Sequence, residues 1–278
     1  MKLLRALKHT YRSILERILW LTRFSKEANF DPIRVNMLVV NKRIYSKLAY
    51  LCVLSFLFYH PNSKILIHYD QATRKSLRLR FLIFSALKRD RIQFVKLRTL
   101  DEWQMHKLEI ILRMLGTGEY FMDCDLRWNG PLPETKSSGI TYFVKEKRFI
   151  EYNGLDAILV NIPVQPLSAI MRNTSVFSWG GTTLSESQIQ EFRSYVHRIQ
   201  NNCKSSSYES SMSLSRIYEQ ISLSLIPELY DKSFRYLKDS DRQFDGSICE
   251  SSYYGASGGR FAWWGNTSRG SLLIKKRS

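Results

Sequence analysis

The sequence predicts an α/β protein whose central, mostly parallel sheet is covered by helices on both faces. Three observations lead there. Short apolar runs of strand length alternate with segments of helix length from Val35 to Met122, and turn-forming residues punctuate the boundaries between them. The 278 residues, 44% of them hydrophobic and 13% aromatic, also supply enough apolar surface for a large core.

Val35 to Val40 is an apolar run suited to a strand buried on both faces, as parallel sheets require. Arg43 to Tyr59 has helix length and stops at His60-Pro61-Asn62. Lys64 to Tyr69 is a second strand ending at Asp70, and Ala72 to Leu87 a second helix. Ile92 to Val95 is a third strand, Leu100 to Leu115 a third helix closed by Gly116 and Gly118, and Glu119 to Met122 a fourth strand. Further on, Leu155 to Val160 is expected as a strand, Leu167 to Met171 as a short helix and Leu184 to Gln200 as an amphipathic helix. The Ser-rich stretch from Asn201 to Ser213 reads as a loop or linker.

The amino terminus carries its own pattern. Leu4, Leu7, Tyr11, Ile14, Leu15, Ile18 and Leu21 recur at helical spacing, with seven Lys or Arg against one acid between Met1 and Lys26. Residues 1–30 are therefore expected to form a basic amphipathic helix, lying in a membrane interface or docked on the rest of the chain. Cationic residues interrupt any signal-peptide core, and the most apolar window, Leu48 to Tyr59, is twelve residues where a bilayer span needs about 20.

Forty-two Lys and Arg against 25 Asp and Glu give a net charge of +17, so an anionic partner is expected. Cys52, Cys124, Cys203 and Cys249 stand far apart, which excludes a zinc module and points to buried free thiols in a cytoplasmic protein. The basic stretches, 72–98 among them, would suit peripheral contact with an anionic membrane. Nucleic acid is the rival anion, but no RNP-like strand, GXXG loop or zinc module supports it, and none is expected as a partner.

At the end of the fourth predicted strand stand Asp123-Cys124-Asp125. Two carboxylates one residue apart at a strand end can hold a divalent cation, and hard oxygen ligands select Mg²⁺ or Mn²⁺. The same tripeptide also serves as ordinary turn chemistry. A phosphohydrolase of the haloacid dehalogenase type would carry such a pair on its first strand, with Thr or Val where Arg127 stands.

The segment KLEIILRMLGTGEYFMDCDLRWNGPLP, Lys107 to Pro133, resembles the central block of the GT-A glycosyltransferases, and VVNKRIYSKLAYLCVLSFLFYHPNSKILIHYD resembles the entry to that fold. The resemblance covers about Val35 to Pro163. It implies a GT-A (Rossmann-like) domain over 31–278, with a nucleotide-sugar half at 31–133 and an acceptor half with the carboxyl-terminal tail at 134–278. It implies a hexosyltransferase-like enzyme using a nucleoside-diphosphate sugar and a glycan or lipid-linked acceptor, as in cell-surface polysaccharide synthesis. Asp125 would ligate the metal and Asp123 the metal or donor ribose, with Asp70 and Lys107 near the nucleotide. A solvated helix face is the plainer reading of Lys107.

The acceptor side offers Glu250, Asp245 and Glu151 as catalytic bases, with Glu250 preferred. Between Glu250 and Gly265 the glycines and Trp263-Trp264 suit phosphate and sugar, and Arg260 could steady a diphosphate. The late histidine that supplies a third ligand in several GT-A families has no counterpart, since His197 is the last in the chain. An inactive scaffold of the same fold therefore stays open.

Overall fold

Strand β1 (Arg34–Val39) is buried from Val35 onward, and its two faces feed two separate cores. Val35, Met37 and Val39 pack with α1 (Arg43–Tyr59) and α2 (Gln71–Leu87), through residues such as Phe56 and Phe81. Leu38 faces the opposite way, into a cluster that includes Ile111 of α3 (Trp103–Met114) and Phe192 of α4 (Glu186–Ser205). Fully burying each such side chain contributes about 1.5–3 kcal/mol, which fixes the register of the strand.

The computed structural model describes residues 32–87, 91–97, 102–128, 132, 139–143, 158–164, 172–181, 183–205, 218–237 and 249–251. The remaining elements are β2 (Lys64–Tyr69), β3 (Ile92–Lys96), β4 (Thr117–Asp123), β5 (Leu126–Trp128), β6 (Gly139–Tyr142) and β7 (Val176–Gly180). They are followed by α5 (Tyr218–Ser224), α6 (Ile226–Tyr230), β8 (Phe234–Tyr236) and β9 (Cys249–Ser251). Seven strands form one sheet in the order β3-β2-β1-β4-β7-β6-β8, and β5 pairs with β9 apart from it.

The first four strands of that order are mutually parallel, as the alternation of elements predicts. β7 runs antiparallel to both of its neighbours, and β8 is parallel to β6. Helices α1 and α2 lie on one face, while α3 carries the chain across the other face from β3 past β2 and β1 to β4. The strand order therefore reverses between β1 and β4. In open α/β sheets the crevice for a ligand opens at the carboxyl ends of strands at such a switch.

Several boundaries agree to within three residues with those read from the sequence, and α1 and β2 coincide with them. The closure of α3 also follows the sequence, because Gly116 takes a positive φ of 77° directly after the helix. Two expectations need correction. Residues 158–161 form a helical turn, not a strand, with Ile158 fully buried in the core. Helix α4 runs to Ser205, because Phe192, Val196, Ile199 and Cys203 extend one apolar stripe past Gln200. The expected helices at 1–30 and Leu167 to Met171, and the rest of the Ser-rich stretch, lie outside the described residues. Cys52, Cys124 and Cys203 are buried thiols, and no helix among the described residues is long and apolar enough to cross a membrane.

Two buried histidines tie segments distant in sequence. His60 stacks on Phe56 at 4.8 Å and accepts the Leu132 N–H at Nε2 over 2.7 Å. His68 lies 3.0 Å from Asn36 Oδ1, and Asn36 Nδ2 donates to Glu119 over 2.9 Å. That carboxylate can only accept, so the Asn36 amide is oriented and the His68 Nε2–H must donate. Burial pulls both imidazoles down to about 4, with Arg113 and His106 adding to the fall at His68. As the pH drops from 6.5 toward 4 the unfolded chain takes up these protons and the folded one does not, so both groups oppose stability in that window. NMR of the imidazole nitrogens at about pH 5 should find His60 and His68 neutral, whereas ordinary histidines are protonated there. A charged ring at either position would contradict this packing.

Candidate active site

The acidic turn is fastened from below before it is charged. β4 ends at Asp123, whose N–H donates to the Ser175 carbonyl over 2.7 Å at the base of β7. The Cys52 thiol of α1 lies 3.4 Å from Met122 Sδ and 3.7 Å from the Asp123 carbonyl. After the turn, the Trp128 N–H donates to Ser55 Oγ over 3.0 Å, and its indole N–H meets Met122 Sδ at 2.9 Å. Phe56 packs edge-on against the same indole at 5.2 Å. One face of α1 thus grips both strands flanking Cys124-Asp125.

The charged side chains gather at the carboxyl edge, on the α3 side of β4. Lys107 Nζ of α3 lies 3.1 Å from Asp123 Oδ1 and 3.9 Å from Glu219 Oε1 of α5, and 5.2 Å from the centre of the Phe121 ring. Lys107 is 3% exposed, so the reading of a solvated helix face is overturned. The reason is pairing: burial pulls the ammonium down, but Asp123, Glu219 and Asp125 outweigh it and leave its pKa raised. Burial pushes Glu219 up to about 7, with Lys107 opposing the rise. Burial and the neighbouring Asp123 likewise raise Asp125, against a backbone hydrogen bond and Lys107, although its side chain keeps part of its surface open to solvent. Three carboxylates share one ammonium, and the cluster retains a deficit of positive charge.

Asp70 sits at the same edge but in a different set of bonds. Its Oδ2 accepts the Asn41 N–H over 2.7 Å, and its Oδ1 accepts from the Thr73 N–H at 2.9 Å and lies 2.8 Å from the Thr73 hydroxyl. It caps α2 and ties down the loop after β1, where Asn41 holds a positive φ of 71°. Glu250 belongs to β9, whose register sets it opposite Arg127, two residues beyond Asp125. Asp245, Glu151 and Arg260 lie outside the described residues. Sequence reading missed Glu219, for which the available signal was a lone acid among the side chains of a buried helical stretch.

Asp123 and Asp125 are a hard-oxygen pair, and Glu219 Oε2 is buried without a hydrogen bond. Among the described residues no three His, Cys, Asp or Glu side chains group as metal ligands. Mg²⁺ commonly takes only one or two carboxylates and fills its other positions with water and phosphate oxygens, so the pair fits such an ion.

A parallel β3-β2-β1-β4 order, an antiparallel β7 beyond it and an acidic turn at the end of β4 complete the arrangement. The fold is an open, mostly parallel α/β sheet with helices on both faces. The chain is similar at 10% identity to the solved structure of the galactosyltransferase LgtC in complex with donor and acceptor sugar analogues, over 73% of each chain with a TM-score of 0.47. It is similar at 10% identity to the PaToxG glycosyltransferase, over 82% of this chain and 80% of that one, with a TM-score of 0.41. The apo bifunctional glycosyltransferase WbbM matches 76% of this chain and 40% of its own length at 10% identity, with a TM-score of 0.47. No protein-family model matches the chain, and no curated protein does.

Ser55 offers a test of the fastening. Ser55→Ala removes the acceptor for the buried Trp128 N–H and should cost about 1–3 kcal/mol in urea unfolding. Stability equal to the parent would show that α1 does not hold the turn through this bond.

Proposed function

We propose that the chain is a metal-dependent glycosyltransferase of the hexosyltransferase kind. It would move a sugar from a nucleoside-diphosphate donor to a glycan or lipid-linked acceptor, in cell-surface polysaccharide synthesis on the cytoplasmic side. One observation carries the reading: Asp123 and Asp125 lie at the carboxyl edge of a parallel sheet, at its topological switch, with Lys107 bonded to Asp123.

In this reading Asp123 and Asp125 hold Mn²⁺ or Mg²⁺, which would neutralise charge on the departing diphosphate. Lys107 fixes the Asp123 carboxylate and keeps the acid pair from repelling itself out of shape. The bond between the sugar and the diphosphate breaks as the acceptor oxygen bonds to the same carbon, and the acceptor proton passes to a base. Glu250 is the proposed base, because β9 brings its backbone beside the strand that follows Asp125, with Asp245 as the second candidate. Arg260 would bind the diphosphate. A second reading, an inactive scaffold, draws on the ammonium already seated on Asp123.

A thermal-shift series with UDP-, GDP-, CMP- and dTDP-sugars, with and without Mn²⁺, separates the two. A donor should raise the melting temperature only with the metal present, by mass action. Asp123→Asn and Asp125→Asn should each abolish that shift and cut sugar transfer by at least about a hundredfold while leaving the fold intact. Wild-type transfer in either variant would defeat the metal reading, and a protein that no donor stabilises would favour the scaffold.

A further inference from the structure

The two helical layers differ in charge. Helices α3 to α6, on one face of the sheet, carry five Lys or Arg and five Asp or Glu, with ion pairs such as Arg193–Glu109 at 3.0 Å. Helices α1 and α2, on the other face, carry Arg43, Lys47, Arg74, Lys75, Arg78 and Arg80 and no acid. The net positive charge of the described helices therefore lies on one side of the molecule.

On that side α2 also exposes apolar surface. Thr73, Leu77 and Phe81 turn inward, whereas Lys75, Arg78, Leu79 and Leu82 are all exposed. Their spacing of i, i+3, i+4 and i+7 sets the four on one stripe. Leu79 is 75% and Leu82 is 64% exposed, the highest values among the large hydrophobic residues described. Two leucines make too small an apolar patch for a stable protein interface, which needs roughly 800 Å² on each partner. Nucleic acid would be met by stacking aromatics, and this stripe has none. Leucines flanked by cations are what an interfacial helix offers to lipid: the side chains enter the headgroup boundary while the cations meet anionic headgroups.

We propose that the outward stripe of α2, built on Lys75, Arg78, Leu79 and Leu82, is a docking surface for an anionic membrane. Asp70 caps the start of α2 at the same carboxyl edge of the sheet as Asp123. The docking surface stands whether or not the site transfers sugar.

Vesicle co-sedimentation of the full chain tests it, comparing phosphatidylcholine alone with phosphatidylcholine containing about one third phosphatidylglycerol. The parent protein should partition onto the anionic vesicles only. Lys75→Gln with Arg78→Gln should weaken partitioning about thirtyfold, two cations at about fivefold each. Leu79→Ser with Leu82→Ser should weaken it by about tenfold or more. All four positions are exposed, so circular dichroism and melting temperature should match the parent. Both variants keep the basic terminal segments. Parent-like partitioning of either variant would overturn the proposal, as would equal binding to neutral vesicles or none to anionic ones. A charge variant that loses RNA binding beside a leucine variant that holds vesicles normally would assign the stripe to nucleic acid and also overturn it.

Discussion

One buried ammonium makes the acidic edge of this fold tolerable. Lys107 reaches from α3 to place its charge between Asp123 and Glu219, in a position almost closed to water. Three carboxylates gathered there without a cation would repel each other in a medium that screens poorly. With Lys107 in place the cluster still lacks positive charge, and the raised pKa values of Asp125 and Glu219 express that lack. A site in this state favours any further cation that reaches it, which is why the reading as a metal-assisted transferase centres on Asp123 and Asp125.

Geometry brings these groups together because of how the strands are ordered. The chain lays down β1, β2 and β3 outward along one edge, then returns through α3 to set β4 on the other side of β1. That crossing carries Lys107 over the end of the very strand that follows it. Helix α1 supports the same strand end from the opposite face, through Cys52, Ser55 and Phe56. The turn is therefore held by one helical layer and charged by the other.

The first half of the fold was legible because its signals are local. Apolar runs, a Pro-Asn stop after α1 and a glycine after α3 each act within a few residues, and the structure follows them closely. Strands β6, β7 and β8 were not legible. They are three to five residues long, and their pairing depends on partners far away in sequence. Asp123 and Asp125 could be read as a pair from their spacing, but the burial of Lys107 could not. A lysine on a helix is ordinarily solvated, and its pairing with Asp123 and with Glu219, the latter more than a hundred residues on, explains its position. Asp70 is visible from its strand end, but the capping role that Asn41 and Thr73 give it is not.

The account turns on Lys107 carrying the electrostatic load of the acid cluster, and a double-mutant cycle reads that load directly. Denaturant unfolding at neutral pH would compare the parent with Lys107→Met, Glu219→Gln and the two combined. Lys107→Met should lose about 3–5 kcal/mol, because it strands buried carboxylates, and adding Glu219→Gln should return at least about 1 kcal/mol of that loss. If Lys107→Met unfolds where the parent does, or if the two effects simply add, the ammonium is not what holds this edge together.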